Sequence, residues 1–291
     1  MNEELLTRNM AALFSRRSDV ITGIGDDAAV LDSGSQDGTW LLAAADQVLE
    51  DVHFLPGTDP GKVAVKLLNR NISDIAAMGG RPAHALVTLA LNPLDEAWLD
   101  AFNRALEDLA SANGISVIGG DVARSPVPGK TASLTILGHV EKEKLCLRSN
   151  AKAGDVLYVT GSFGHSFPTG HHLTFQPRLE QARFLAGVYT CAMMDVSDGL
   201  AKDLARFAAA SGITAEITEL AHIPGRDGAT GEEKLYDGED YELLIAVPPE
   251  KCDALEKAWC FPDVPLTKAG IFEAGPQDLQ EKGYDHFHHE N

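Results

Sequence analysis

The stretch GIGDDAAV, residues 23–30, places two aspartates directly after a pair of glycines. Its first six residues fit the relaxed dinucleotide-binding fingerprint G-x-G-x-x-G/A, in which backbone amides face a pyrophosphate. The two variable positions before the last residue of the fingerprint are Asp26 and Asp27, and two carboxylates repel a diphosphate unless a cation lies between them. Either the match is accidental, or this loop holds a divalent metal ion.

The composition limits the class of protein. A chain of 291 residues exceeds the usual size of one domain, so two domains are expected. The excess of 43 acidic over 24 basic residues disfavours binding to nucleic acid. No stretch approaches the roughly 20 apolar residues of a membrane span, and the acidic start does not resemble a signal peptide. Four cysteines without CxxC spacing indicate neither a zinc site nor a disulfide framework, which favours a reducing cytoplasm.

Two hydrophobic periodicities alternate along the chain and predict an α/β or α+β fold. Helical spacing occurs at residues 3–14, 61–77, 95–112, 178–190, 200–211 and 250–258. Strand-like apolar runs occur at residues 40–45, 84–91, 115–118, 132–140, 155–160 and 241–247. The segment RSNAKAGD, residues 148–155, is predicted to contain the boundary between domains 1–148 and 149–291. The segment GSFGHSFPTGHH, residues 161–172, is predicted to be a long surface loop.

Aspartates recur where these apolar segments end. They are Asp26, Asp27, Asp46, Asp74, Asp121, Asp195 and Asp198. A single such residue is more often a cap or turn former, and Asp198 before Gly199 is typical of a helix N-cap. Repetition over five segments favours a shared site, and converging carboxylates need a cation. Ligands that are all oxygen suit Mg²⁺, which proteins commonly share with substrate phosphates, so the sequence predicts a nucleotide-phosphate site.

Two other side chains are candidates for the same site. His53, in EDVHF, follows Asp46 closely and either reaches the predicted cleft or has a purely structural role. Arg148, in CLRSN, lies at the predicted domain junction and either reaches a phosphate or lies on the surface.

The motifs, taken in order, resemble those of the thiamine-monophosphate kinase family. They are GIGDDAAV, ADQVLEDVHF, NISDIAAMGG, GGD at residues 119–121, LRSNAKAGDVLYVTG, MDVSDGL, DGEDYELL and the terminal GYDHF. The resemblance implies an N-terminal α+β domain whose sheet pairs across a homodimer, a C-terminal α/β domain, and ATP bound between them. It also implies ATP-dependent phosphorylation of thiamine monophosphate to thiamine diphosphate, assisted by several Mg²⁺ ions.

The resemblance assigns roles to individual positions. The implied magnesium ligands are Asp27, Asp46, Asp74, Asp121, Asp195 and Asp198. The implied nucleotide contacts are Gly120, Asp121, Arg148 and Ser197. The positions implied near the thiamine phosphate are His53, Glu239 and Phe287. Catalysis is expected to depend most directly on Asp27, Asp74 and Arg148, whereas the role of Asp26 stays open.

The chain departs from the family pattern in two places. Ala44 and Ala45 precede Asp46, where many members carry Ser or Thr, so one metal ion is expected to bind weakly or to be missing. The segment 161–183 is shorter than usual and is expected to reshape the substrate mouth. A non-catalytic nucleotide-binding paralogue and an acidic interaction scaffold remain alternatives. Selenophosphate synthesis is disfavoured because no cysteine precedes Cys146, and aminoimidazole ribonucleotide synthesis because of DGEDYELL and GYDHF.

Overall fold

Helices and strands alternate in the computed structural model, which describes residues 3–14, 16–278 and 283–284. The α-helices are α1 Glu3–Leu13, α2 Pro60–Ala77, α3 Glu96–Ala112, α4 Leu179–Leu185, α5 Leu200–Ala210, α6 Gly231–Tyr236 and α7 Pro249–Ala258. The strands are β1 Val20–Thr22, β2 Ala29–Leu31, β3 Thr39–Leu49, β4 Arg81–Asn92, β5 Ser116–Arg124, β6 Gly129–Glu141, β7 Val156–Thr160, β8 Ala192–Asp195, β9 Thr214–Ile217, β10 Leu243–Val247 and β11 Leu266–Glu273. Among the described helices, none combines the length and apolarity that a bilayer crossing requires.

The strands form two sheets, each with its own apolar core. The first sheet has the order β1-β2-β3-β6-β4-β5 and is antiparallel except where β4 pairs with β5. The second sheet has the order β8-β10-β7-β11-β9 and is antiparallel throughout. The expected combination of helices and sheets is therefore confirmed. The predicted boundary after residue 148 falls in the connection between the two sheets and stays a prediction.

Helix α2 packs against both halves of the chain, the first built on the sheet of strands β1–β6 and the second on the sheet of strands β7–β11. The Asp59 carboxylate caps it by accepting a hydrogen bond from the Lys62 N–H at 3.0 Å. Leu67 packs in the core of the first sheet, whereas Ala76 and Ala77 pack in a cluster formed mostly by the second half of the chain. Because the helix is buried along most of its length, it places its polar side chains between the two halves.

The chain turns sharply after α2. Gly79 has a φ of +73°, and a Cβ atom there would collide with the carbonyl oxygen of Lys144. Only glycine combines this left-handed conformation with so close a backbone approach. The turn therefore brings the end of α2 against the connection that leads into the second half.

Several elements differ from the sequence prediction. The helix expected at 178–190 ends at Leu185, because Ala186 adopts extended dihedral angles and bridges to Thr190. Strands β1, β2, β8 and β9 were not predicted because runs of three or four residues carry little periodicity. The longer strand β11 was also missed. The prediction that 161–172 is a surface loop was wrong over much of its length, since Phe163 is fully buried and Ser166 nearly so.

Candidate active site

Three of the predicted aspartates converge between the two halves. One carboxylate oxygen from each of Asp27, Asp74 and Asp195 lies within 4.8 Å of the others. Asp27 precedes β2, Asp74 lies in the last turn of α2, and Asp195 ends β8. We call these three residues the carboxylate cluster; strand ends and adjacent loops are common places for ligands.

Burial and mutual repulsion raise the pKa values of two carboxyl groups in the carboxylate cluster. Burial raises the pKa of Asp74 well above its ordinary value, and the neighbouring carboxylates of Asp46 and Asp195 raise it further. Burial and Asp27 likewise raise the pKa of Asp195, although the Ser73 hydroxyl donates a hydrogen bond to Asp195 Oδ2 at 2.6 Å. A cation removes such repulsion, and a donor set made only of carboxylate oxygens fits a hard ion such as Mg²⁺.

Arg148 is part of this site and not a surface residue. Its guanidinium contacts Asp27 through one nitrogen at 2.5 Å and through Nε at 3.3 Å, and its side chain is only 18% exposed. The Arg148 backbone N–H donates to Asp26 Oδ2 at 3.2 Å. Burial, followed by the charge of Asp27, raises the pKa of Asp26 to about 7. Arg148 therefore joins the second half of the chain to both aspartates of the opening motif.

The dinucleotide fingerprint at residues 23–28 is accidental. A dinucleotide-binding glycine loop opens a helix whose N-terminus receives the pyrophosphate. Here the loop leads into strand β2 instead, so no helix N-terminus faces a ligand. The adjacent aspartates are explained by the carboxylate cluster and by Arg148.

Asp46 is already paired with a buried guanidinium. Arg70 Nε lies 3.0 Å from Asp46 Oδ2, and a second guanidinium nitrogen lies 3.2 Å from Oδ1. A third nitrogen donates to the Gln47 carbonyl at 2.9 Å. The charge of Asp46 is close enough to raise the pKa of Asp74, but Asp46 is not one of the three residues of the carboxylate cluster. Its role as a metal ligand stays a prediction.

Asp198 is likewise paired with cations, and its interpretation as an N-cap was wrong. Helix α5 begins after Gly199 without a side-chain cap. The Asp203 carboxylate instead accepts hydrogen bonds from the Ser197 and Asp198 N–H groups at 2.9 and 2.8 Å. This leaves the Asp198 carboxylate free to contact Arg206 at 2.7 Å. The metal role of Asp198 and the nucleotide role of Ser197 stay predictions.

Gly120 and Asp121 lie on β5, which is an edge strand of the first sheet. A Cβ atom at Gly120 would collide with the Val87 carbonyl oxygen, so the pairing of β4 with β5 by itself requires glycine there. The Asp121 side chain belongs to an exposed residue, outside the described carboxylate cluster. The nucleotide roles of these two residues stay predictions.

A cleft of about 450 Å³ lies close to a second group of predicted residues. Among the residues that line it are Lys66, His165, Phe167, Glu233, Asp237 and Glu239. Lys66 Nζ donates to the carboxylate of Glu239 and to the His53 carbonyl, the latter at 2.7 Å. His53 is buried, and its Nδ1 accepts the Leu49 N–H at 3.1 Å. Phe287 lies outside the described residues.

The segment predicted as a surface loop forms one wall of this cleft. The His165 N–H donates to Asp237 Oδ2 at 2.9 Å, and the Ser166 hydroxyl donates to the Glu239 carbonyl at 2.6 Å. Just after this segment, Phe175 stacks on Tyr241 with ring centroids 3.9 Å apart. Polar groups of the segment 161–172 are thus paired with the DGEDYELL segment, which explains why much of the segment 161–172 is buried.

Sequence reasoning missed Lys66 and Arg70. Together with Asp74 they recur every fourth residue on the helix predicted at 61–77, which places them near one face. Charged residues at this spacing within an otherwise buried helix are a usable signal. The signal shows that the charges share a helix face, but it does not identify their partners in distant segments.

Comparisons with known proteins agree with this architecture. The chain matches the model of the AIR synthase related protein N-terminal domain at residues 25–140 and that of the C-terminal domain at residues 164–259. Thiamine-monophosphate kinase of Escherichia coli K12 is 35% identical, with 97% of each chain covered. The enzyme of that name from Bacillus subtilis 168 is 32% identical, covering 99% of this chain and 100% of the relative.

A solved structure extends the likeness to three dimensions. AaThiL complexed with AMPPCP and TMP superposes with a TM-score of 0.82 at 26% identity, covering 98% of this chain and 97% of the other. The likeness therefore spans both sheets and the segment that connects them. With two domain models matched in order and full-length relatives above 30% identity, the chain belongs to the thiamine-monophosphate kinase family.

Proposed function

We propose that this protein transfers the terminal phosphoryl group of ATP to thiamine monophosphate and so produces thiamine diphosphate. Family membership supports the reaction, since the full-length relatives are named thiamine-monophosphate kinases. AMPPCP is an analogue of ATP, so the complex of AaThiL with AMPPCP and TMP supports both substrates. Within this chain, the observation that carries the proposal is the carboxylate cluster, to which both halves contribute.

Asp27, Asp74 and Asp195 are the residues that we propose to hold Mg²⁺. Their oxygen donors lie within 4.8 Å of one another, which is compatible with ligands that share one cation. The ion supplies neutralisation of phosphate charge when it is bound. Proposed additional ligands are Asp46, Asp121 and Asp198.

The side chains around the cluster have positioning roles in this proposal. Two nitrogens of the Arg148 guanidinium hold the two carboxylate oxygens of Asp27, and Ser73 orients Asp195 through its hydroxyl. The acceptor is a phosphate whose second pKa is near ~6, so it is largely ionised at neutral pH without a general base. Binding the two phosphates in line is then the main contribution of the protein.

Substrate contacts are proposed on both sides of the cluster. Nucleotide binding is assigned to Gly120, Asp121, Arg148 and Ser197. Binding of thiamine monophosphate is assigned to His53, Glu239 and Phe287. The cleft beside Lys66 supports the second assignment, because it contains Glu239 and lies against the His53 carbonyl.

A homodimer is proposed through strand β5. This edge strand exposes Ile118 by 56% and Val122 by 59%. An unpaired sheet edge with large apolar side chains is a surface that proteins normally cover. A reducing cytoplasm is the proposed location, in keeping with four cysteines that form no disulfide.

Incubation with ATP, MgCl₂ and thiamine monophosphate tests the proposed reaction. Chromatography is expected to show thiamine diphosphate and an equal amount of ADP, and EDTA is expected to abolish both. Asp74→Asn is expected to lose turnover, whereas Asp100→Asn, at an exposed pair with Arg104, is the matched control. No product, together with a melting temperature that still rises in Mg-ATP, would identify a non-catalytic nucleotide-binding paralogue instead.

A further inference from the structure

Lys66 is a buried cation whose bonding is incomplete. Its side chain is 0% exposed, and it pairs with Glu239, which is 26% exposed. The ammonium has three donors, but within the described parts of the chain only the His53 carbonyl and the Glu239 carboxylate accept from it. Burial lowers the pKa of Lys66 to about 8, although the Glu239 charge opposes this shift. Burial of an ammonium costs stability unless its charge and its donors are paired, and here one donor remains for a further acceptor.

The helix face that carries Lys66 leads from the cleft to the carboxylate cluster. Lys66 and Asp74 are eight residues apart on α2, a distance of about 12 Å along the axis. Arg70 lies between them and pairs with Asp46. An anionic group bound to the Lys66 ammonium would therefore lie beside the helix face that continues to Asp74.

The charged residues that line the cleft come from both halves of the chain. Lys66 belongs to α2 in the first half of the chain, whereas the carboxylates of Glu233, Asp237 and Glu239 belong to the second half. Phe167 adds an aromatic ring that is 52% exposed. Thiamine monophosphate has a matching polarity, because it joins a phosphate to a permanently cationic thiazolium ring. Carboxylates and an aromatic face both attract such a ring.

We propose that Lys66 binds the phosphate of the acceptor and thereby makes the site select thiamine monophosphate over unphosphorylated thiamine. The ammonium donates its unused hydrogen to a phosphate oxygen, and the thiazolium ring lies toward Phe167 and the acidic side chains. This inference rests on the proposed function and assigns a direction to the substrate in the cleft. It also gives the Lys66 ammonium a role beyond its bonds to Glu239 and the His53 carbonyl.

Titration calorimetry with two ligands tests the role of Lys66. The ligands are thiamine monophosphate and thiamine, and the variants are Lys66→Met and, as a control, Lys62→Met on an exposed turn of the same helix. Loss of a charge-assisted hydrogen bond is expected to weaken binding of the monophosphate by about 10- to 100-fold. Binding of thiamine is expected to change by less than about threefold, and Lys66→Arg is expected to restore part of the preference.

A structural role for Lys66 predicts a different result. Equal weakening of both ligands, or unchanged binding of the monophosphate, would overturn the inference. If Lys66→Met does not fold, Glu239→Gln is the second variant, because it keeps the ammonium and removes its competing anion. That variant is expected to keep or increase the preference for the monophosphate, and a preference reduced to unity would contradict the inference. Failure of the wild-type protein to phosphorylate thiamine monophosphate would refute the proposed function separately.

Discussion

Asp74→Asn is expected to stabilise the metal-free protein while it abolishes the response to Mg²⁺. Within the carboxylate cluster, donor oxygens lie within 4.8 Å of one another. One pair of unit charges at that distance costs about 3.5 kcal/mol at an effective dielectric constant near 20. Arg148 offsets the charge of Asp27, and the raised pKa of Asp74 relieves part of the remaining repulsion through protonation. A net gain of about 1 to 2 kcal/mol at pH 8 is therefore expected.

Thermal unfolding in EDTA and in MgCl₂ measures both effects. For a chain of 291 residues, a gain of this size corresponds to a melting temperature about 2 to 3 °C higher in EDTA. The wild-type protein is expected to gain stability in Mg²⁺, as a ligand that binds only the native state requires, and the variant is not. Asp100→Asn controls for the loss of one negative charge at an exposed site. A lower melting temperature of Asp74→Asn in EDTA would mean that the carboxylate is a structural partner, and an unchanged Mg²⁺ response would remove it from the metal site.

Arg148→Lys keeps the positive charge but loses the bidentate contact with Asp27, so steady-state kcat is expected to fall by about tenfold or more; an unchanged kcat would contradict the positioning role. Ile118→Asp on the exposed edge strand is expected to convert a dimer to a monomer in sedimentation experiments, and a wild-type protein that sediments as a monomer would refute the dimer. Burial raises the pKa of Asp240 to about 8, and its Oδ2 has no hydrogen-bond partner among the described residues. The native state therefore holds a proton that the unfolded chain releases, so this contribution to stability is present below about pH 4 and is lost as the pH rises to 8. Denaturant unfolding of Asp240→Asn is expected to lack that decline, and parallel pH profiles of the two proteins would refute the assignment.

Local patterns were sufficient to predict the elements that depend on nearby residues. Helix α2 was predicted at 61–77 and lies at Pro60–Ala77, because its period and its Asp59 cap are encoded within one segment. The residues of the motifs and their order along the chain likewise predicted the family, which the comparisons confirm. The expected convergence of aspartates holds for Asp27, Asp74 and Asp195 in the structure.

Only the tertiary structure decided which charges meet. Asp27 and Arg148 are 121 positions apart, Ser73 and Asp195 are 122 apart, and Lys66 and Glu239 are 173 apart. Periodicity indicates which face of an element is apolar, but it carries no information on the distance between side chains from remote segments. Charge interactions and pKa shifts depend on that distance and on burial. The sequence by itself therefore determined helix α2, the family and the candidate ligands. Packing of the two halves determined which carboxylates form the carboxylate cluster and which pair with arginine.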